Sequence, residues 1–496
     1  MSVDYDLIIF GATPAGVQAA IAAATLKARV ALITQGITPA NLPEAVPHQA
    51  LLDLATRMAT HPLTVRTFGE TSVEPLRLTA EAHSPTGSGL PLPWEQISDW
   101  TAAIAANVEA ARSGNGLSHR GIDVIPDMGE FCRKPALGVR VGDRWLQARG
   151  YLLAMGARAW IPAIAGLETA GYLTTETVQA QIQKFATCRT IAVIGSGKTA
   201  VELAQTLIRL GIAPTLMTQN ESLLPNADAE AARLIQAQLE AEGVRVLLQT
   251  SVTQVRSLAA KKQLQLGNQT LETDEIIVAA GHSPNVKALN LEAAGVGWNA
   301  NGIWHNAKLQ TTNPRVYTCD GLLGTESFTQ VANQEAAIAL RNILFFPTAK
   351  IDYRTIPLAV HTSPNLAWLG LTETQAAQKY GKQVYVLRQS FNALPQAQIR
   401  NDLTGLCKLI VHRNGTILGA HLVGAFASEW VGILALAMQQ KLKIQAIASL
   451  SLPSPTLAEI LHHTAIDFRR LQLKHRDRLQ DLFDHFFDLR RAWSKN

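Results

Sequence analysis

Charge and sulfur are both scarce in this chain. Only 17% of its 496 residues are Asp, Glu, Lys or Arg, and 44 basic residues against 39 acidic ones leave a surplus of +5 over the whole length. No sustained basic stripe of the kind that tracks a nucleic-acid backbone is present, so DNA and RNA are not expected partners. Four cysteines, Cys132, Cys188, Cys319 and Cys407, stand far apart with no C-x-x-C spacing. This excludes a secreted disulfide framework and a structural zinc site, and makes a reducing cytosol the expected setting. No apolar run approaches the roughly 18 residues of a membrane-spanning helix, and Met1 leads into the strand-like Asp6 to Phe10 without the layout of a cleavable leader. The expectation is a cytoplasmic protein, at most peripheral to a membrane. His462 and His463 belong to no metal-ligating pattern, and no metal is expected. What is plentiful is apolar: 47% of the residues are hydrophobic, which excludes disorder and suffices for two or more domain cores.

Two strand–turn–helix units dominate. In the first, the apolar run Asp6 to Phe10 reads as a strand buried on both faces, followed by Gly11-Ala12-Thr13-Pro14-Ala15-Gly16, an Ala-rich helix and a returning strand, Arg29 to Ile33. In the second, residues 191–194 lead into Gly195-Ser196-Gly197-Lys198-Thr199-Ala200, a helix to about Arg209, and a returning strand, Pro214 to Met217. A dinucleotide turn needs one glycine for the tight bend, a second so that backbone can approach the pyrophosphate, and a small third residue for helix–strand packing. Gly195, Gly197 and Ala200 meet all three requirements. The first turn keeps Gly11 and Gly16 but carries Thr13 in the middle. Where a carboxylate usually holds the ribose hydroxyls, the first unit offers Thr34 and Gln35 and the second Thr218 and Gln219, so the choice between NADH and NADPH stays open.

Between the units, a probable helix from Trp94 to Arg112 and short strands around Ile122 to Val141 read as a hairpin-bearing insertion. From Ile356 the pattern turns to antiparallel-looking strands, Val384 to Arg388, Gly405 to His412 and Thr416 to Val423, with amphipathic helices, an α+β module. The last stretch, Phe468 to Trp493, reads as one basic amphipathic helix that packs on its own protein or a second subunit, or docks on a membrane surface or a separate partner.

The order of these parts resembles one flavoenzyme family. Residues 11–16, Leu153-Ala154-Met155-Gly156, the stretch from Gly195 to Glu202, Gly281-His282-Ser283-Pro284-Asn285 and Thr312-Asn313-Pro314-Arg315 carry the likeness, which continues through Leu371-Thr372-Glu373, Gly405-Leu406-Cys407-Lys408 and Pro455-Thr456. It is similar to the pyridine nucleotide–disulfide oxidoreductases, in the dihydrolipoamide dehydrogenase and mercuric reductase branch. The resemblance implies an α/β fold of two Rossmann-like three-layer dinucleotide-binding domains plus a C-terminal α+β dimerisation domain. The expected division is FAD binding over 1–155 and 276–346, NAD(P)H binding over 156–275, dimerisation over 350–465, and the tail helix over 466–496. It also implies a homodimer and, as cofactor-binding residues beyond the two turns, Gln49, Gly129, Met155, Gly156, Ala157, Gly281, Asp320, Gly321 and Phe328.

The family passes a hydride from nicotinamide to flavin, then electrons to a disulfide beside the flavin, with a His–Glu pair of the other subunit supplying protons. Each thiol-handling part differs here. Ala40 and Ala45 stand where the family has its two cysteines, followed by Val46-Pro47 and an expected helix start at Gln49; Gln49 stands where the family has a lysine, and Ser454 where it has the catalytic histidine. Alanine can neither contact flavin as a thiolate nor attack a disulfide. The family's Gly-Asp pair, whose aspartate binds the ribitol chain, reads Asp320-Gly321: either a one-residue shift restores the carboxylate or that bond is missing. Glu202 keeps a family active-site position without its lysine partner, Glu459 lacks its imidazole, and His48 is a candidate substitute acid/base with a usefully placed pKa.

Two functions remain open at this point. One is an FAD-dependent NAD(P)H oxidoreductase that hands electrons from flavin to a non-thiol acceptor, a quinone, a dye-like small molecule or a protein carrier. The other is a degenerate homodimer, with flavin or empty, that binds or regulates through its tail.

Overall fold

The computed structural model describes residues 3–35, 45–60, 94–113, 116–134, 136–322, 328–474 and 477–493. The chain divides into two compact units, Met1–Leu223 with Leu239–Asp352, and Leu224–Gln238 with Tyr353–Asn496.

The first unit holds two parallel five-stranded sheets of the same design. In one, the order is Val316–Thr318, Ala148–Leu153, Tyr5–Phe10, Val30–Ile33 and Ile122–Ile125. In the other, it is Arg245–Leu247, Ala213–Met217, Thr190–Ile194, Glu275–Val278 and Leu173–Thr174. Each glycine turn follows a strand with the returning strand on one side and a much later strand on the other. That reversal of strand order opens a crevice at the carboxyl ends of the strands, where open α/β sheets bind ligands.

Side-chain alternation explains the unbroken apolar run of the first strand. Leu7 and Ile9 pack under the helix Pro14–Thr25, while Ile8 and Phe10 face Phe131, Val139 and Leu146 of a three-stranded antiparallel sheet on the opposite face. That helix has proline in its first turn and buries Ala15, Gly16, Ala19, Ala20 and Ala23, small side chains that let it lie close to the sheet.

The second unit is an antiparallel sheet in the order Leu358–Val360, Asn365–Gly370, Ile417–Gly424, Leu406–His412 and Val384–Ser390. Its core joins Leu409, Val411, Ala420 and Leu422 of the sheet to Trp430 and Leu434 of the helix Ala427–Gln439 and to Leu461 and Phe468 of the helix Glu459–Lys474.

Two expectations need correction. The helix expected to start at Gln49 starts earlier, as Ala45–Thr60. Pro47 falls in its first turn, where a missing N–H breaks no intrahelical bond. The single helix expected over Phe468 to Trp493 is two, Glu459–Lys474 and Asp477–Trp493. Phe468 is fully buried and meets Tyr385 edge to face at 5.8 Å, so its helix belongs to the core, and only the second helix is a tail. No helix among the described residues is long and apolar enough to cross a membrane.

Candidate functional site: two glycine turns

At the first turn Gly11 has φ +100°, and a Cβ there would lie 2.1 Å from the Ala154 carbonyl oxygen. Only glycine fits. A Cβ on Gly16 would meet the Gly11 carbonyl oxygen at 2.3 Å, so the third position is set by close packing of helix start against turn. Thr13 is the N-cap of the helix. Its hydroxyl donates to the Ala154 carbonyl at 3.0 Å and accepts from the Gly16 N–H at 3.3 Å. This turn therefore partly satisfies its own helix start.

The second turn differs at that point. Gly195 has φ +152° and closes against the Ala279 carbonyl oxygen, 2.1 Å from where a Cβ would stand, with Ala200 packed alongside. Gly197 caps the helix Lys198–Arg209 without any side-chain hydrogen bond. The helix-start N–H groups are thus left without a capping side chain, the arrangement that receives a pyrophosphate. Lys198 occupies the first helical position, where the helix dipole disfavours a cation unless an anion is bound. Its ammonium lies 5.0 Å from the centre of the Phe328 ring. Phe328 is buried at the start of the helix Thr329–Leu344.

The structure places the remaining sequence candidates as follows. Thr34 and Gln35 end the strand Val30–Ile33, and both are buried. Gln35 donates to the Gly129 carbonyl at 2.6 Å, while its Oε1 has no hydrogen-bond partner among the described residues. Gly129 is closely packed there: a Cβ would lie 3.2 Å from Ile33 and Val139 side-chain carbons. Met155 is buried, and Ala157 pairs with Pro284 in a short two-stranded sheet. Gly281 and Gly321 take φ values of +123° and +72°. Thr218 is buried at the end of its strand, but the side chain brought to the second turn is Asn220, which donates to the Ser196 hydroxyl at 2.8 Å.

Asp320 resolves into a definite geometry. Its backbone is left-handed, φ +64°, and its N–H donates to the buried Glu335 carboxylate at 2.9 Å. Its Oδ2 lies 3.9 Å from where a Cβ on Gly156 would stand and has no partner among the described residues. Burial raises its pKa, partly opposed by the nearby Thr13 hydroxyl. The reversed Asp-Gly order therefore leaves a carboxylate at the first turn, with one oxygen short of a donor.

Glu202 is buried one turn into the second nucleotide helix. Arg209 at the end of that helix makes a bidentate pair with Glu242, both bonds 2.7 Å, and also donates to Thr56 of Ala45–Thr60 at 2.7 Å. The helices that carry Glu202 and Gln49 are thereby joined. Gln49 is half-buried. Ala40 lies outside the described residues; Ala45 and His48 are placed only as backbone of their helix.

Sequence reasoning missed Glu176, His282, Asn220 and Glu335. His282 is exposed yet crowded by protein, which holds its pKa below the ordinary imidazole value, with Glu176 pulling it up and Lys198 pushing it down. Glu176 accepts from the N–H of Ala159, the residue paired with His282. Only the position of His282 beside Gly281 offered a signal.

Two nucleotide-type turns in tandem and an antiparallel C-terminal sheet decide the assignment when set beside known proteins. Residues 5–336 match the family model described as pyridine nucleotide-disulphide oxidoreductase, and residues 356–465 match its dimerisation domain. The chain belongs to this family. It is 29% identical to a mercuric reductase of Staphylococcus aureus over 94% of this chain and 82% of that protein. With dihydrolipoyl dehydrogenase 3 of Pseudomonas aeruginosa it shares 27% identity over 94% of this chain and 98% of the relative. Among solved structures, LpdA from Mycobacterium tuberculosis superposes with TM-score 0.80 at 22% identity, over 94% of this chain and 99% of that one. The HOCl-induced flavoprotein disulfide reductase RclA from Escherichia coli, as its Cu(II) complex, superposes with TM-score 0.78, also at 22% identity and over the same shares. The two likenesses show the fold. Members of the family contain FAD and use NAD(P)H, and the dimerisation domain supports a homodimer.

Against that family, the sulfur chemistry of this chain is sparse. All four cysteines are free. Cys319 and Cys407 are buried, and burial pushes their thiols up, Cys407 to about 12. Cys188, half-exposed, is pushed up to about 11, again chiefly by burial. Thiols so held are poor nucleophiles. In the second unit, Glu459 accepts from the Thr456 N–H at 2.7 Å, and this bond, with help from the Ser454 hydroxyl, lowers its pKa. Glu459 acts as a helix-start cap.

Proposed function

We propose that the protein is an FAD-dependent NAD(P)H oxidoreductase whose flavin passes electrons to a non-thiol acceptor. The observation that carries this reading is the state of its sulfur: four free cysteines, two of them buried with raised pKa values. The resemblance adds that Ala40 and Ala45 fall where the family's redox pair is expected. A disulfide relay needs two thiols at relay spacing, one of them a thiolate at working pH.

The residues present suit FAD at the first turn. Gly11 and Gly16 keep the turn tight, Gln35 Oε1 offers an unpartnered acceptor where a ribose carboxylate usually stands, and Asp320 Oδ2 offers one for a ribityl hydroxyl. The second turn, with its uncapped helix start and Lys198, suits the pyrophosphate of NADH or NADPH, with Asn220 and Ser196 on the ribose side. FAD, when bound, takes a hydride from the nicotinamide and gives up electrons singly or in pairs. Glu202 is the residue we assign to the nicotinamide side, and His48 is the candidate acid/base for the acceptor. Alanine has no sulfur to relay electrons, so in this reading the flavin delivers them directly to a flat acceptor such as a quinone.

A second reading, a binding or regulatory homodimer with little turnover, is favoured by one observation: Thr13 partly caps the helix start that a flavin pyrophosphate uses elsewhere in the family. Anaerobic rapid mixing with NADH and with NADPH tests both. Bleaching of the flavin with no long-wavelength thiolate–flavin band supports the oxidoreductase; a flavin that stays oxidised under excess of both nucleotides favours the scaffold, and a thiolate band would sink the non-thiol reading.

A further inference from the structure

The rim of the second turn, where the strand Ala213–Met217 ends, is built from neutral groups tied to one another. The N–H of Asn220 donates to the Thr218 hydroxyl at 3.1 Å, and its side-chain Nδ2 donates to the Ser196 hydroxyl at 2.8 Å. The Asn220 carbonyl accepts from the Gln249 N–H at 3.0 Å, and the Thr218 carbonyl accepts from the Thr250 N–H at 2.8 Å. These last two bonds close the rim against the chain that leaves the strand Arg245–Leu247. Asn220 is exposed, yet it is held through its N–H, its carbonyl and its side chain. Since Nδ2 is committed to Ser196, inside the glycine turn, the amide presents Oδ1 as its free acceptor.

Charge at this rim has one sign. Residues 213–227 contain a single charged side chain, Glu221, directly after Asn220, and residues 246–255 contain none. The cation of the turn, Lys198, places its ammonium 5.0 Å from the centre of the Phe328 ring. NADH and NADPH differ only at the adenosine 2′ position, a hydroxyl in the first and a phosphate in the second. A hydroxyl donates as well as accepts, so an amide oxygen can hold it. A phosphate monoester carries about −1.5 to −2 charge at neutral pH and offers acceptor oxygens, so sites that select it supply arginine. What this rim supplies instead is an amide oxygen with a carboxylate beside it.

We infer that the second turn selects NADH over NADPH, with Asn220 as the specificity-determining residue. The inference deepens the oxidoreductase reading and rests on it only in that a nicotinamide nucleotide enters the second turn.

Calorimetric titration of the full-length, FAD-loaded protein tests it, with ADP-ribose and 2′-phospho-ADP-ribose as probes. Both carry the discriminating end and neither can exchange a hydride. ADP-ribose is expected to bind about ten-fold tighter or more. Equal or tighter binding of the 2′-phosphate form would overturn the inference and leave the turn a nucleotide site; binding of neither would sink both. Selection of ADP-ribose by a protein whose flavin NADH fails to reduce upholds the inference and defeats the redox reading alone. Asn220→Arg is expected to strengthen binding of the 2′-phosphate form about ten-fold and so cancel or invert the ratio. Asn220→Asp, which keeps an acceptor for the Ser196 hydroxyl, is expected to widen it. A ratio unchanged in both variants overturns the assignment of Asn220.

Discussion

Asp320→Gly is expected to move apoprotein stability and FAD affinity in opposite directions. Asp320 is 8% exposed, and its buried Oδ2 has no hydrogen-bond donor among the described residues. An unsatisfied buried polar group costs about 1–3 kcal/mol. Glycine adopts φ +64° without strain and loses about 0.5–1 kcal/mol through greater freedom of the unfolded chain. The apoprotein is therefore expected to gain about 1 kcal/mol at neutral pH. FAD, by contrast, loses one hydrogen bond to a charged acceptor, about 1.5–3 kcal/mol, which weakens its binding by about ten- to a hundred-fold.

The sign with pH follows from the raised pKa of this carboxyl in the folded state. The folded form holds its proton more tightly than the unfolded form, so the penalty is absent below about pH 4 and grows as pH rises through the folded value. The stability gain of Asp320→Gly is thus expected at pH 7 and lost in acid. Urea denaturation of the apoprotein and a flavin fluorescence titration measure the two effects. An FAD affinity unchanged by the substitution, or an apoprotein less stable at pH 7 by more than about 1 kcal/mol, refutes the placement of Asp320 as a flavin ligand.

In the second unit, Lys408 is buried among Asp228 at 2.7 Å, Glu230 at 3.0 Å and Glu373 at 2.7 Å, and Lys408→Met is expected to cost about 3–5 kcal/mol in urea denaturation by stranding Asp228. Adding Asp228→Asn should recover part of that loss; Glu230 and Glu373, a third or more exposed, contribute little. Gly195→Ala places a Cβ 2.1 Å from a carbonyl oxygen at φ +152°, so loss of NAD(P)H binding by calorimetry and about 1–3 kcal/mol of strain are expected. Burial lowers the pKa of His421, whose Nδ1 has no partner among the described residues. Stability is then lost as pH falls below about 6.5, because the unfolded imidazole takes up a proton that the folded one resists, and His421→Gln should flatten that part of the pH–stability curve.

Local pattern carried far in this chain because two of its requirements are local. An apolar run buried on both faces followed by glycine at a left-handed turn is written in six to ten consecutive residues, and both turns were legible for that reason. The wider likeness, spread over residues 11–16, 195–202 and 281–285, was legible because each piece is short and their order is fixed along the chain. Helix limits were less legible. A helix was expected from Gln49, yet a first turn accepts Pro47 and the helix begins at Ala45, and residues 468–493 looked continuous although Phe468 is drawn into a core by Tyr385. The partners of buried polar groups could not be read at all: Asn220 reaches Ser196 from 24 positions away, and Asp320 meets Glu335 across 15.

From sequence alone came the identity of the turns, the parallel-then-antiparallel architecture and the scarcity of usable sulfur, since each depends on residue type and near-neighbour spacing. Tertiary structure alone decided that the Asp-Gly reversal keeps a carboxylate at the first turn, that the Thr13 hydroxyl donates to the Ala154 carbonyl 141 positions away, and that Arg209 ties its helix to Thr56. These are questions of which distant groups satisfy a hydrogen bond, and only the folded chain brings such groups within reach of one another.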